Sequence, residues 1–474
     1  MTRSAARSSR SAILMGIGLV IVGLAGFGFL AIVGNTMPPA ETVALQSLYM
    51  MVSIIGPGLF VSLEQETNRV VSSGIAATVD PRPGIRRAVL LGASLAGLTI
   101  LVLLAASPLL VDRLFGGDFM LLSLTLLSVV MSAAMYLTRG LLGASQQFTG
   151  YAATLGAEGL SRLLACIAIV LVGIGGTSMF GLAFVAGGGF AALVALPWLR
   201  REFAALPRKE HGPADSQTDP AVARTEDSGE TATAEPSAAA EPDTETTGTA
   251  AEVIAGHTLG RIAKGLVFLG VATLLAQLVA NLAPLVVNGR LVEDRAAATA
   301  FGFAFVLTRI PLLLFSPIQA MLLPVLTKAA VHGEYSVVRK RVGIILIAVA
   351  AVGLPGAAGS ALLGPWMVVT FFGAEARPAA GVMALLGLST VLLMLAQILQ
   401  PALVAMGMHQ TVSIAWVLGT LLLIGMLALP GDPISAAVIA QLAGPLVVVL
   451  ITGIALARRL TTRRADTPSV PAAQ

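Results

Sequence analysis

Four arginines lie within long apolar stretches of the sequence, where a charged side chain is unusual. Arg162 and Arg309 fall near the middle of their stretches, and Arg69 and Arg139 fall near the ends. An ionisable side chain at the centre of a bilayer costs about 2.5–3.5 kcal/mol on insertion scales, so each needs a reason. A guanidinium stays charged, and its planar fork matches phosphate oxygens in pairs. The four arginines are therefore candidate substrate contacts, arranged as a track, and they favour an anionic substrate.

Three acidic residues accompany the arginines, and they allow two interpretations. Glu66 precedes Arg69 by three residues and Glu158 precedes Arg162 by four, so each pair lies on one helix face. Such pairs could be structural ion pairs that neutralise themselves. Alternatively, Glu64, Glu66 and Glu158 could take part in coupling transport to an ion.

Arg309 has no acidic residue within one helical turn, and it precedes Pro311 near the middle of its apolar stretch. We therefore expect Arg309 to face a water-filled cavity and to contact substrate. Arg69 and Arg139 could instead extend to the membrane interface. Amide side chains in neighbouring stretches either line the same cavity or form interhelical hydrogen bonds. They are Asn68, Gln277, Asn281 and Gln319.

The composition identifies the environment in which these residues lie. Hydrophobic residues make up 56% of the 474-residue chain and charged residues only 11%, against about 25% charged residues in an ordinary soluble domain. A helix needs about 20 apolar residues to cross the hydrocarbon core of a bilayer, and the sequence supplies such stretches repeatedly. The chain is therefore predicted to be an all-α polytopic membrane protein.

Twelve apolar stretches are long enough to be transmembrane helices. The first six cover residues 13–34, 42–71, 88–110, 119–137, 151–172 and 180–199. The second six cover residues 259–287, 297–326, 342–363, 379–399, 412–429 and 434–457. The first stretch exceeds the apolar region of a signal peptide, about 7–15 residues, so we expect it to be retained. Gly56-Pro57-Gly58 lies midway along the second stretch and predicts a kink or local unwinding.

Residues 202–256 divide the chain into two halves. Eleven of the 25 acidic residues lie between Glu210 and Glu252. The segment has little apolar surface to offset the entropy cost of ordering it, so we expect a disordered, acidic cytoplasmic linker. The predicted domains are a six-helix lobe (1–201), this linker, a second six-helix lobe (257–457) and a cytoplasmic tail (458–474). Because both lobes have an even number of helices, they share one orientation, which predicts a substrate site between them.

The distribution of basic residues predicts the orientation. With the N-terminus in the cytoplasm, 21 Lys and Arg residues lie in the cytoplasmic segments, Arg224 of the linker included. The opposite loops carry only Arg113, Arg290, Arg295 and Arg377. Since cationic residues concentrate in cytoplasmic loops, both termini are predicted to be cytoplasmic.

Several classes of function find no support in the sequence. No basic stripe with interleaved aromatic residues indicates nucleic-acid binding. Cys166 is the single cysteine and the four histidines are scattered, so no disulfide or metal site is predicted. No phosphate-binding loop or catalytic Ser/His/Asp set is present. We therefore expect a protein that is not an enzyme and has no cofactor, although H⁺, Na⁺ or the membrane potential could be coupled to transport.

Four stretches of the sequence match a pattern found in one group of membrane proteins. They are LEQETNR ending at Arg69, RGLLGASQQFTGY from Arg139 followed by EGLSRL, FLGVATLLAQLVANLAPLVV from Phe268, and RIPLLLFSPIQAMLLP from Arg309. These stretches resemble the polysaccharide flippases of the multidrug/oligosaccharidyl-lipid/polysaccharide (MOP) exporter superfamily. The resemblance covers nearly the whole chain outside the linker.

The resemblance implies a V-shaped, MATE-like fold of two six-helix bundles that works by alternating access. Members of the family flip polyprenyl-pyrophosphate-linked oligosaccharides across the bacterial cytoplasmic membrane, and cationic cavity residues contact the pyrophosphate. Arg309, Arg162, Arg69 and Arg139 are the candidates for that role. The implied partners are the lipid-linked glycan, the bilayer, and the glycosyltransferases or polymerase of a glycan-assembly pathway.

One departure concerns the identity of the glycan lipid. Lipid II flippases of the superfamily have cationic residues within the first helix and usually two further spans. Here nothing charged lies between Arg10 and Glu41. A glycolipid other than a peptidoglycan precursor is therefore expected.

Three other functions stay open. A cation-coupled multidrug exporter of the same superfamily usually has an acidic ion site in the first or seventh span; neither has one here, although Glu64, Glu66 or Glu158 could substitute. A major-facilitator transporter would carry a Gly-x-x-x-Asp-Arg-x-Gly-Arg-Arg-like run between the second and third spans, where this chain has SSGIAATVDPRPGIRR. The third is a non-transporting scaffold for a glycan-assembly complex.

Overall fold

A computed structural model of the protein describes residues 2–76, 80–204, 259–312, 335–406 and 408–465. Every secondary-structure element in these ranges is a helix, as the composition predicts. The predicted linker lies outside the described residues except for its first three positions. Gln319 lies outside them as well.

Helices run through both halves of the chain. The first half contains α1 (Thr2–Thr36), α2 (Pro39–Ile55), α3 (Val61–Ala76), α4 (Arg82–Ala105), α5 (Phe119–Ala144), α6 (Phe148–Val172) and α7 (Thr177–Ala204). A short helical turn, Ser107–Leu109, and a π-helical turn, Leu110–Leu114, follow α4. The second half contains α8 (Leu259–Arg290), α9 (Arg295–Leu307), α10 (Tyr335–Thr370), α11 (Ala380–Ala405), α12 (His409–Leu427) and α13 (Pro433–Ala465).

Among the described residues, 11 helical segments are long and apolar enough to cross a membrane. They coincide with eleven of the twelve predicted spans. The remaining predicted span, 297–326, is described only as far as residue 312, and α9 ends within it at Leu307. The twelfth span therefore stays a prediction. Helix α13 continues to Ala465, beyond the predicted lobe boundary at 457, because residues 458–464 contain no helix-breaking Gly or Pro.

The predicted distortion at Pro57 is confirmed. A π-helical turn, Gly56–Phe60, joins α2 to α3 within one span, Pro39–Ala76. Proline has no backbone N–H and its ring clashes with the preceding turn, so a regular α-helix cannot pass through it without adjustment. The wide turn presents the carbonyl of Gly58 to the side, where the hydroxyl of Thr273 in α8 donates to it at 2.6 Å.

Packing is densest within each half. In the first half α1 lies along α6, and α5, α6 and α7 pack together; in the second half α10 pairs with α11, and α13 pairs with α11 and α12. Helix α8 makes most of the contacts between halves, against α2 and the π turn. The outer surface is aliphatic: Leu171, Leu362 and Ile347 are 81%, 80% and 71% exposed. Such a surface suits contact with lipid.

Polar contacts join the two halves at the end of the molecule where α1 meets α2. Asn35 donates through Nδ2 to the carbonyl of Phe371 at 2.9 Å, just beyond the end of α10. Asn288 of α8 donates through Nδ2 to the Ser47 hydroxyl of α2 at 3.0 Å. We call this end, defined by Asn35, Ser47, Asn288 and Phe371, the closed end.

Candidate functional site

A central cavity of about 350 Å³ lies between the two halves, which contribute α1, α2, α5, α6 and α7 on one side and α8, α9 and α11 on the other. Two of the four predicted arginines, Arg162 and Arg309, line it from opposite halves. The cavity is also lined by three further residues that the sequence predicts for the site: Glu158, Gln277 and Asn281. The two arginines that the sequence places deepest in the membrane therefore line the same cavity.

Arg309 reaches the cavity from the turn that follows α9. Its Nη2 donates to the carbonyl of Ala280 at 3.3 Å and to Gln441 Oε1 at 3.1 Å. Gln441 is itself held, because its Nε2 donates to the carbonyl of Val279 at 3.0 Å. The guanidinium lies 4.6 Å from the centre of the Phe305 ring, a distance at which a cation is attracted to an aromatic face. These contacts fix the direction of the side chain without neutralising it.

Two of the donor atoms of Arg309 have no partner in the described part of the chain. Nε and Nη1 are both buried and form no hydrogen bond there, and no described carboxylate lies within 4.0 Å of the guanidinium. A buried donor left unsatisfied costs about 1–3 kcal/mol, and more when charged. An anion in the cavity would remove this cost, because it would supply both the acceptor oxygens and the missing charge.

Arg162 is held quite differently, in a triad with Glu158 and Arg139. Glu158 Oε1 lies 2.9 Å from Arg162 Nη2, and Glu158 Oε2 lies 2.7 Å from Arg139 Nη2. All three side chains are buried. One carboxylate thus bridges two guanidiniums, and the fully ionised triad keeps a single net positive charge. The spacing rule found the 158/162 pair, but it could not find Arg139, which comes from α5.

Helix α7 provides two more contacts that hold the Arg162 side chain in place. Arg162 Nε donates to the carbonyl of Phe184 at 2.9 Å, and the guanidinium lies 4.4 Å from the centre of the Phe184 ring. Gly187 makes this crossing possible, since a Cβ there would lie 2.6 Å from Arg162 Cγ and 2.7 Å from Nε.

Arg139 lies behind Arg162 and does not line the cavity. Its Nε donates to the Thr154 hydroxyl at 3.1 Å, and its guanidinium lies 5.8 and 5.9 Å from the ring centres of Tyr136 and Tyr151. Tyr136 does line the cavity, as does Tyr49. These two tyrosines were missed, because an isolated tyrosine in an apolar stretch carries no distinguishing pattern.

Arg69 lies midway along α3 and does not line the cavity. It forms a two-point ion pair with Glu66, with Nη2–Oε1 at 2.6 Å and Nε–Oε2 at 3.0 Å, and its side chain is 53% exposed. Of the two interpretations of this pair, the geometry agrees with a structural ion pair at the interface. The structure therefore brings Arg162 and Arg309 together at the cavity, with Arg139 behind them and Arg69 apart.

The remaining predicted site residues fall into two groups. Glu64 accepts a hydrogen bond from the Tyr151 hydroxyl at 2.7 Å, and Asn68 packs against Gly143 of α5; neither lines the cavity. Asn281 does line it and donates to Gln277 Oε1 at 3.0 Å. No group of three or more His, Cys, Asp or Glu residues that could hold a metal ion occurs within the described ranges.

Comparisons with known proteins give the fold. No protein-family model matches the chain, and no curated protein matches it either. Among solved structures, it is similar to an inward-facing multidrug resistance MATE family transporter of the MOP superfamily, with a TM-score of 0.68, 13% identity, and coverage of 96% of this chain and 100% of that one. It is also similar to the eukaryotic MATE transporter AtDTX14, with a TM-score of 0.63, 11% identity and coverage of 97% and 98%.

A third similar structure is a MOP superfamily transporter from Pyrococcus furiosus, described as having a binding pocket of reverse polarity that suggests a different function. Its TM-score is 0.60, its identity 14%, and the match covers 96% of each chain. At these identities the likeness defines the fold alone. The chain therefore has the MATE-like fold of membrane transporters, as expected from the resemblance, and not that of a major facilitator.

Proposed function

We propose that the protein transports an anionic amphiphile, and specifically that it flips a polyprenyl-pyrophosphate-linked oligosaccharide or a related anionic glycolipid across a membrane by alternating access. The observation that carries the proposal is Arg309, which lines the central cavity, has two buried donor atoms without a hydrogen-bond partner, and has no described carboxylate beside it. A pyrophosphate offers several acceptor oxygens to such a guanidinium.

The charged residues that line the whole cavity favour an anionic substrate. Its charged lining residues are Arg162, Arg309 and Glu158, and Glu158 is already taken up by two arginines. Arg309 therefore adds a positive charge that no carboxylate in the described ranges balances locally. The Pyrococcus transporter with a pocket of reverse polarity indicates that one fold can serve cavities of different charge.

The finer architecture belongs to the same proposal. Twelve transmembrane helices would form two six-helix bundles in a V, with both termini and the linker in the cytoplasm of a bacterial cell. Neighbouring glycosyltransferases or a polymerase would supply or use the glycan. Arg69 and Arg139, which lie off the cavity, would contact the headgroup only at another stage of the transport cycle.

Flipping by purified protein in proteoliposomes tests the proposal. The substrate is a fluorescent polyprenyl-pyrophosphate oligosaccharide, and an impermeant quencher reports the fraction in each leaflet. Loss of charge-assisted hydrogen bonds worth about 1.5–3 kcal/mol predicts that Arg309→Gln slows flipping at subsaturating substrate about ten- to a hundredfold. Arg309→Lys should restore part of the rate, because it keeps the charge but not the fork.

Arg86→Gln is the matched control, since Arg86 is exposed on α4 and far from the cavity lining. It should flip substrate at the rate of the unaltered protein. Flipping that is unaffected by Arg309→Gln would overturn the proposal. Glycan export in cells that survives the same change would favour a scaffold instead.

A cation-coupled multidrug exporter is the second candidate, and the similar structures named as MATE transporters favour it. Glu158 is the acidic residue that lines the cavity and would bind the coupling cation. This function predicts efflux of a cationic dye that is driven by an H⁺ or Na⁺ gradient and is retained in Arg309→Gln. The anionic proposal predicts no dye efflux under either gradient.

A further inference from the structure

A second cavity lies in the second half of the chain, bounded by α10, α11 and α13, with a volume of about 630 Å³. We call it the lateral groove. Its walls are aliphatic side chains: Val342, Leu346, Leu395, Leu399, Val449 and Leu456. Because protein interiors are normally close-packed, a space of this size in a membrane-embedded bundle has to be filled by something apolar.

Two glycines keep the lateral groove open. Gly343 of α10 and Gly453 of α13 both line it. A Cβ at Gly343 would meet no atom within 4 Å, and one at Gly453 would lie 3.8 Å from Leu399. A larger side chain at position 343 would therefore enter the groove without displacing the protein around it.

The groove has a charged end. Arg339, one helical turn before Gly343, lines it at the start of α10, and Thr461 lines it near the end of α13. Arg339 is exposed, and no ion pair involving it occurs in the described part of the chain. The distribution of basic residues predicts that this end faces the cytoplasm. The groove thus has an aliphatic body with a cation at the level of the lipid headgroups.

The lateral groove is separate from the central cavity. Leu395 and Leu399 of α11 line the groove, whereas Gln397, between them in sequence, lines the central cavity. Helix α11 is therefore the wall between the two spaces. A molecule in the groove would not lie on the path through the cavity, which argues against the transported substrate as its occupant.

We propose that the lateral groove is a binding site for an anionic phospholipid of the surrounding leaflet, with an acyl chain between α10, α11 and α13 and the phosphate at Arg339. Lipid tails are as apolar as leucine, so the body of the groove accepts any acyl chain. Basic pockets between transmembrane helices at the cytoplasmic side bind anionic headgroups, so Arg339 selects for charge. The site is independent of what the central cavity transports.

Native mass spectrometry of the purified full-length chain tests the site. The chain is incubated with phosphatidylglycerol or phosphatidylcholine of the same acyl composition, and the retained lipid is counted. The unaltered protein should retain phosphatidylglycerol preferentially. Arg339→Gln should lower retention of phosphatidylglycerol about fivefold, as expected for one basic residue near a charged headgroup, and leave phosphatidylcholine unchanged. Gly343→Leu should abolish retention of both.

Each variant has a matched control. Lys340→Gln removes an exposed charge next to Arg339 that does not line the groove, and Gly359→Leu adds a side chain to α10 where a Cβ also meets nothing within 4 Å. Both should retain lipid like the unaltered protein, and all variants should unfold at the same temperature without added lipid. Equal effects of Lys340→Gln and Arg339→Gln, equal retention of both lipids, or displacement of phosphatidylglycerol by equimolar polyprenyl phosphate would each overturn the proposal.

Discussion

The two arginines that meet at the central cavity are held in opposite ways by the two halves of the protein. In the first half, Arg162 is paired with Glu158, hydrogen-bonded to a backbone carbonyl and placed against an aromatic ring. In the second half, Arg309 has neutral partners and two unbonded donors within the described residues. The first arginine has a carboxylate partner within the protein, whereas the second has none among the described residues.

This difference separates two roles that the sequence presents as one. A deep arginine can be there to stabilise helix packing or to meet a substrate, and the cost of placing it in a membrane is similar in either case. The structural role pairs the guanidinium with a carboxylate of the protein. The substrate role leaves donors open, because only a ligand completes them. The following predictions test whether this distinction holds.

The largest expected effect comes from removing the carboxylate of the triad. Glu158→Gln would leave Arg139 and Arg162 buried side by side, and breaking a buried pair in this way costs about 3–5 kcal/mol. Unfolding in detergent should show this loss. Glu66→Gln is the matched control: Glu66 is buried, but its partner Arg69 is 53% exposed, so water can solvate the arginine that loses its carboxylate and a smaller loss is expected. Pairs exposed on both sides contribute about 0–1 kcal/mol. Equal losses for the two variants would mean that the triad is not the structural centre of the first half.

The next effect concerns the position of Arg162. Gly187→Ala places a methyl group against the Arg162 side chain, and overpacking of this kind costs about 1–3 kcal/mol. Gly188→Ala, on the same helix, is the control, because its Cβ would lie at an ordinary 3.6 Å from Met131. Thermal unfolding should distinguish the two variants. Identical stabilities would show that Arg162 is free to move, contrary to the description of it as fixed.

Much of this arrangement follows from the sequence, and some of it does not. Apolar length predicts the helices, and Pro57 predicts the irregular turn, because both depend on local chemistry. The lack of an acidic neighbour in the sequence distinguishes Arg309 from Arg69 and Arg162, but not from Arg139, which is paired with Glu158 of another helix. The pairing of Arg139 with Glu158 and the clearance at Gly187 depend on how α5, α6 and α7 pack. No single-helix spacing rule contains that information.

Replacing Arg309 is expected to have a smaller effect, and to increase the stability of the protein rather than lower it. Replacing it with glutamine removes a buried charge and its unsatisfied donors, so the free energy of unfolding without substrate should rise by about 1 kcal/mol. Arg162→Gln should instead lower it, because Glu158 loses a partner. The comparison is made by unfolding in detergent. A loss of stability in Arg309→Gln would place Arg309 in the structural class with Arg162.

The smallest predicted effect is at the closed end, where the halves must part if transport requires an opening there. Ser47→Ala removes the nearer of the two acceptors of Asn288 Nδ2 and leaves the Val43 carbonyl at 3.5 Å. The lost hydrogen bond is worth about 1 kcal/mol, which corresponds to about a fivefold change in the ratio of open to closed molecules. Ser389→Ala is the control, since the Ser389 hydroxyl is buried but bonds within its own helix.

Distances between spin labels measure the fraction of molecules in which the closed end has opened. Thr36→Cys and Arg377→Cys place labels on exposed sites next to the Asn35–Phe371 contact, and the native Cys166 is buried, so it should not compete for label. Ser47→Ala should increase the long-distance fraction about fivefold, while Ser389→Ala leaves it unchanged. If both variants give the distribution of the unaltered protein, the polar contacts of the closed end do not hold the halves together. The closure would then depend on apolar packing alone.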